Sequence, residues 1–220
     1  MTRIIAGSAG GRRLDTPPGA GTRPTSDRVR EALFSRLEHL GAMLGADVLD
    51  LYAGSGALGL EAFSRGAASA TFVEVDRRVA TVIRTNVRNL GFSPVRVVTQ
   101  AVEKFLEGPP SVKAALVLMD PPYSVSEEQL RQAIDLLVER EWLAERALVV
   151  VERSSRSPQP TWHRRTATCR RMRAGSSTTW ASCSRPACPG DRGPPMHWRW
   201  WPRPGYRWPW SPTPSASSPR

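Results

Sequence analysis

The chain has 220 residues, enough for one α/β domain with a buried core and a small appendage. Its net charge of +11 suggests a polyanionic partner, yet residues 1–160 carry 20 Lys/Arg against 19 Asp/Glu. The excess sits in residues 161–220, with 11 Arg and the single acid Asp191. No run of about eighteen apolar residues is present, so no helical membrane span is expected, and the first residues lack the apolar core of a secretion signal. The three cysteines begin only at Cys169, so no disulfide framework is expected and the cytoplasm is the expected compartment.

Residues 1–45 read as a basic arm followed by a helix. The first thirty residues hold six arginines against Asp15 and Asp27, a local excess suited to nucleic acid. Thr25, Ser26 and Asp27 look like a helix start, after which Val29, Leu33 and Leu37 mark one buried face. Residues 46–160 read as the core. Strands are expected at 47–51, 70–74, 95–98, 115–119 and 147–152, with helices between them ending at Gly66, Gly91 and Arg140. Strands alternating with helices predict a doubly wound, mostly parallel α/β sheet, covered on both faces. There is no internal repeat.

Gly54-Ser55-Gly56-Ala57-Leu58-Gly59 follows the first core strand and matches the glycine turn of dinucleotide-binding folds. Such a turn lets backbone N–H groups approach a ligand closely. Asp50, four residues before the first glycine, separates two readings. Its carboxylate would repel a pyrophosphate but suits an ammonium, such as that of S-adenosylmethionine (SAM). Tyr52, Ala53, Gly54, Ser55 and Gly56 would form the cradle. Glu74 ends the next strand, where a carboxylate accepts from ribose hydroxyls. Glu74 and Asp76 equally suit a cap on the helix near Arg77. Gln100 and Ala101 fall where an adenine would lie, although a plain solvent-facing loop fits them as well.

Asp120-Pro121-Pro122-Tyr123 closes the apolar run 115–119, at a carboxyl strand end. An exocyclic amine on a nucleobase is a poor nucleophile because its lone pair is delocalised into the ring. Asp120 and the Pro121 carbonyl are two acceptors that would orient its N–H groups, and Tyr123 would stack on the ring. This is catalysis by positioning, on a base turned out of its stack. Pro122 stiffens the turn. An ordinary strand-ending turn explains the dipeptides alone; the upstream glycine turn favours the chemical reading.

Residues 161–220 contain no Leu, Ile, Val, Phe, Lys, Glu, Asn or Gln, but seven of the eight Trp and ten of the twenty Pro. Without aliphatic residues no periodic apolar face forms, and dense prolines interrupt helix and sheet. A shift of reading frame near residues 161–163 of a GC-rich gene explains this composition, a disordered arm being the other reading. The sheet's last strands are expected to be missing or aberrant, leaving 147–152 as an exposed apolar edge.

With these motifs in place, the chain resembles the bacterial 16S ribosomal RNA guanine-N2 methyltransferases of the RsmD type. The resemblance rests on residues 3–7, 11–14, 22–34 and 50–62 together with Asp120-Pro121-Pro122-Tyr123. It implies a class I SAM-dependent fold, acting on guanine 966 of the 16S RNA or the 30S subunit, as a monomer with no metal and no membrane. It also implies that Arg12, Arg13, Arg23, Arg28 and Arg30 engage RNA phosphates, a solvated basic face being the plain alternative. Competing readings are a DNA adenine-N6 methyltransferase, which would need a target-recognition insert, an NAD-dependent oxidoreductase, disfavoured by Asp50, and a non-catalytic RNA-binding module.

Overall fold

The structure is a computed structural model, and it describes residues 2–17, 27–154, 156–163, 166–174 and 177–184. Two short strands, β1 (Thr2–Arg3) and β2 (Arg13–Leu14), pair antiparallel into a small hairpin. Helix α1 (Asp27–His39) follows, and then the central sheet begins. Its parallel strands are β3 (Asp47–Leu51), β4 (Ser69–Glu74), β5 (Val95–Thr99), β6 (Ala114–Met119) and β7 (Leu143–Ser154). Helices α2 (Ala57–Ser64), α3 (Arg77–Leu90), α4 (Val102–Leu106) and α5 (Glu127–Glu139) connect them.

The strands take the order β5-β4-β3-β6-β7 across the sheet, continued by two antiparallel strands, β9 (Ser177–Ser184) and β8 (Thr166–Ala174). The chain winds outward from β3 through β4 to β5, then returns to the far side of β3 with β6. That reversal creates a crevice at the carboxyl ends of β3 and β6. Each central strand buries both faces, as a parallel sheet requires. On one face Val48, Phe72, Leu116, Leu118 and Val150 pack with Leu33, Phe34 and Leu37 of α1, Leu60 of α2 and Ile83 of α3. On the other, Leu51, Val73, Val117, Met119 and Val151 pack with Phe105 of α4 and Leu130, Ile134 and Leu137 of α5.

Local chemistry sets the helix limits. Asp76 caps α3 by accepting from the N–H groups of Arg78 and Val79, and Gly91 ends it in a left-handed conformation. Ser126 and Gln129 form a reciprocal capping box at the start of α5. The end of α4 is fixed by Trp142, whose indole donates to the Leu106 carbonyl at 2.9 Å.

The strands after residue 160 correct the sequence reading. Residues 166–174 and 177–184 form an antiparallel hairpin, and β9 pairs with β7 from Leu148↔Cys183 to Ser154↔Ser177. Strand β7 is therefore an interior strand, not the sheet's exposed edge. Sheet pairing uses backbone N–H and C=O groups, which a segment poor in aliphatic residues still offers. All ten prolines of the tail lie at Pro186 or beyond, and threonine, common in 166–179, suits a strand. Residues 185–220 lie outside the described residues.

Candidate active site

Asp50 is the next-to-last residue of β3 and is 1% exposed. Its Oδ2 accepts the N–H of Gly59, in the first turn of α2, at 2.8 Å. Gly59 admits no side chain: a Cβ there would lie 2.4 Å from the Phe72 ring and 2.9 Å from the Asp50 carboxylate. Strand, turn and helix are thus locked around one buried acid. Burial pushes the Asp50 carboxyl well above the usual carboxylate range, the Gly59 N–H opposes that, and the charges of Asp120 and Glu74 add to it. A site of this kind favours a cation placed beside it.

The intervening turn is tightly braced. Tyr52 has a positive φ of 59°, and its hydroxyl lies 3.4 Å from Glu103 Oε1. Burial pushes its phenol far above its ordinary value. Ala53 donates to the Val73 carbonyl at 3.1 Å and accepts from the N–H of Gly56 at 2.7 Å. Gly54 and Gly56 both have positive φ. The Gly54 N–H donates to Glu74 Oε2 at 2.9 Å, and the Asp76 N–H donates to Glu74 Oε1 at 2.9 Å. Glu74 therefore bridges two loops, while Asp76 does the capping. Beside them Val75 is 68% exposed, an apolar surface at a strand end that only its position after Glu74 signals in the sequence. Gln100 follows β5 and donates its backbone N–H to the Glu74 carbonyl at 3.1 Å; the exposed Ala101 begins α4.

Strand β6 runs between β3 and β7, with Met119 opposite Leu51 and Val151. Asp120, the next residue, stands at the carboxyl end of this central strand, close enough for its charge to act on Asp50. Pro121 is buried and Pro122 exposed. The Pro122 carbonyl accepts from the Val125 N–H at 2.9 Å, which closes the turn into α5. Tyr123 is 77% exposed.

The structure thus gathers Asp50, residues 52–56, Glu74, Gln100, Ala101 and residues 120–123 at one end of the sheet. The arginines divide differently. Arg12, Arg13 and Arg28 are exposed, and Arg23, with Thr25 and Ser26, lies outside the described residues. Arg30 corrects the expectation of an RNA contact. It is 1% exposed, and its Nη2 donates to the Arg3 carbonyl and to Asp27 Oδ1, both at 2.7 Å. Asp27 is held below the usual carboxylate range by that bond. Arg30 therefore fastens α1 to the N-terminal hairpin, because its position on α1 falls on the stripe shared with Leu33, Phe34 and Leu37.

Two residues outside the sequence reading hold the arm. Glu61, fully buried on α2, accepts from the N–H groups of Ile5 at 2.6 Å and Ala6 at 3.1 Å. Asn86, 2% exposed on α3, accepts from the Asp15 N–H at 2.8 Å and donates to the Asp15 carbonyl at 3.0 Å. Its amide also donates to the Ser55 carbonyl at 3.1 Å, so one side chain ties the arm to the glycine turn. The available signal was an amide on the apolar stripe with Ile83 and Leu90.

A doubly wound sheet with an acid-flanked glycine turn and a strand-end Asp-Pro-Pro-Tyr is the fold of the class I SAM-dependent methyltransferases. The solved structure of Escherichia coli yhhF covers 84% of this chain and 99% of its own, at 35% identity and a TM-score of 0.74. Within that class the chain belongs to the family described as Conserved hypothetical protein 95, whose model matches residues 2–182, through β8 and into β9. It is similar to Ribosomal RNA small subunit methyltransferase D of Escherichia coli K12, with 43% identity over 161 residues, 72% of this chain and 78% of the relative. The protein of that name from Haemophilus influenzae is 40% identical over 159 residues, 71% and 80% of the two chains.

Proposed function

We propose that this chain transfers a methyl group from SAM to the exocyclic N2 of a guanine in 16S ribosomal RNA, position 966 being the expected target. The carrying observation is Asp120 at the end of the central strand beside the glycine turn, in a chain 43% identical to a small-subunit rRNA methyltransferase. The residues present suit the cofactor. Asp50 is a buried carboxylate whose neighbours are also acids, matched to an ammonium. Glu74 offers carboxylate acceptors for a ribose diol, and Val75 and Ala101 offer small apolar surface for a purine. When bound, SAM supplies an electrophilic methyl group on a sulfonium.

The chain's own contribution is placement. Asp120 and the Pro121 carbonyl accept the two N–H bonds of the amine and direct its lone pair, while the exposed Tyr123 ring stacks on the base. Arg12, Arg13, Arg23 and Arg28 supply phosphate contacts. The deciding experiment incubates the chain with methyl-labelled SAM and undermethylated 30S subunits, naked 16S RNA or duplex DNA. Label on guanine N2 of the RNA is the expected result; label on DNA adenine, or none, overturns the reading.

Asp50 yields a prediction of its own. A carboxyl raised above its ordinary 3.8 binds its proton more tightly in the folded chain, so its contribution to stability is complete below 3.8 and is lost as pH rises through the raised value. Asp50→Asn removes that loss and keeps an oxygen for the Gly59 N–H. Without cofactor the variant is expected to melt at or above the wild type at neutral pH, the gap closing toward about pH 4. Its affinity for SAM falls at least tenfold, as expected for loss of a buried charge pair of about 1.4 kcal/mol or more. Melting curves across pH and calorimetric titration check both; a variant that melts lower at neutral pH contradicts the argument.

A further inference from the structure

We propose that the exposed arginine face of α3, continuous with the N-terminal hairpin through Arg12, is a second docking surface for the phosphodiester backbone of the substrate RNA. The inference rests on the rRNA reading above and adds a surface to it. Helix α3 carries Arg77, Arg78, Arg84 and Arg88 and not one acid within its bounds. Arg77, Arg84 and Arg88 recur at intervals of seven and four, so they share one stripe about 16 Å long at 1.5 Å per residue. That length reaches several backbone phosphates.

A solvated charge run is the ordinary explanation, and three observations weigh against it. First, these arginines are not neutralised. Arg30, Arg65, Arg131 and Arg153 all form ion pairs with carboxylates, whereas none of the four on α3 does so among the described residues. Second, Arg77 and Arg78 occupy the first turn, where the helix dipole disfavours cations. Third, charge is divided between the two layers of the molecule. The arginine helix lies on the face shared with the hairpin and α1, while α5 on the opposite face holds Glu127, Glu128, Asp135 and Glu139 against Arg131. A polyanion is drawn to one side of the sheet and repelled from the other.

The two basic elements are physically one surface. The Arg12 guanidinium donates to the Asn89 carbonyl at the end of α3, next to Arg88, and Asn86 grips the hairpin at Asp15. RNA held by the hairpin therefore continues along α3 toward the loop of Glu74.

The test compares the whole chain with an Arg77→Glu, Arg78→Glu, Arg88→Gln variant for binding to deproteinised 16S RNA over a range of salt. Acids in the first turn complement the helix dipole, so the variant is expected to fold and to bind S-adenosylhomocysteine as the wild type does. RNA affinity is expected to fall at least tenfold at about 0.1 M salt, and the slope of log K against log salt to shrink by roughly one for each phosphate no longer held. Arg140→Glu, a change of two charges on the acidic side against five on α3, is expected to leave both unchanged. An α3 variant with wild-type RNA affinity and slope overturns the proposal. So does a loss in Arg140→Glu in proportion to its two charges, which would mean that only net charge matters. A wild-type chain that methylates neither 30S subunits nor the RNA instead overturns the functional reading beneath it, and one that methylates 30S subunits but has no affinity for the RNA overturns the proposal alone.

Discussion

Asp120→Ala is expected to reduce turnover in rRNA methylation by about a hundredfold or more, with affinity for S-adenosylhomocysteine kept within a few fold. The asymmetry follows from the position of the side chain. Asp120 leaves β6 just after Met119, which is paired on both sides, so its backbone is held rigidly. In the proposed reading it meets the substrate, while the cofactor is held by Asp50, the glycine turn and Glu74, which are braced by their own hydrogen bonds. Truncation deletes an acceptor for the amine and leaves those braces in place. Asp120→Asn keeps one acceptor oxygen but turns an N–H group toward the amine, so an intermediate loss is expected. Removing the Asp120 charge also lowers the Asp50 carboxyl toward its ordinary range. Single-turnover rates with titration of S-adenosylhomocysteine check this pair. Full activity in Asp120→Ala would remove the residue from the transfer step.

Gly7→Ala is expected to be the most damaging small substitution in the arm. Gly7 has a φ of +83°, and a Cβ built there lies 2.0 Å from the Ser64 carbonyl oxygen, a backbone atom that cannot turn aside. The hydrogen bonds it interrupts are dense. Ser8 donates to that same oxygen at 2.8 Å, Ala9 donates to Ser64 Oγ at 3.0 Å, and Ser64 Oγ donates to the Ala6 carbonyl at 2.6 Å. Peeling the arm from α2 also strips Glu61 of two of its partners, leaving a buried carboxylate with only Arg65 among the described residues. Overpacking and a disfavoured backbone together cost about 2–5 kcal/mol. At roughly 2–4 °C per kcal/mol for a chain of this size, the melting temperature drops on the order of 10 °C. Gly11→Ala is the internal comparison, with φ +82° and nothing within 4 Å of the added carbon. It bears the backbone strain alone, about 1–3 kcal/mol. Equal melting temperatures for the two variants would show that the arm is not docked as described.

The parallel core was legible because each strand is an apolar run ending at a turn or an acid, as in 47–51 and 114–119, and each long helix shows an apolar stripe. The clustering of the candidate site at one end of the sheet was legible for the same reason: turn glycines and strand-end acids follow directly upon those runs. Asp76 was readable as a cap from its place before an arginine-rich helix, and it serves as one. Strands β1 and β2 were not readable, since two residues each carry no periodicity. The five residues of α4 are also too few for a stripe. The burial of Arg30 was hidden because it depends on the Arg3 carbonyl, 27 residues distant, and the arm's Arg12, Arg13 and Arg28 are exposed. The tail misled for a different reason. Side-chain composition says whether a segment can build a core; it says little about whether its backbone can extend a sheet whose core already exists.

The reversal of strand order between β3 and β6 has an evolutionary meaning. Everything proposed to grip the cofactor lies in one uninterrupted stretch, from Asp50 to Ala101, wound to one side of that seam. Everything proposed to meet the base begins at Asp120 and lies on the other side. Heritable changes that retarget the enzyme to another amine can therefore accumulate downstream of β6 without eroding the inherited cofactor half. The two halves meet at the seam between two adjacent strands and again where α4 packs against α5.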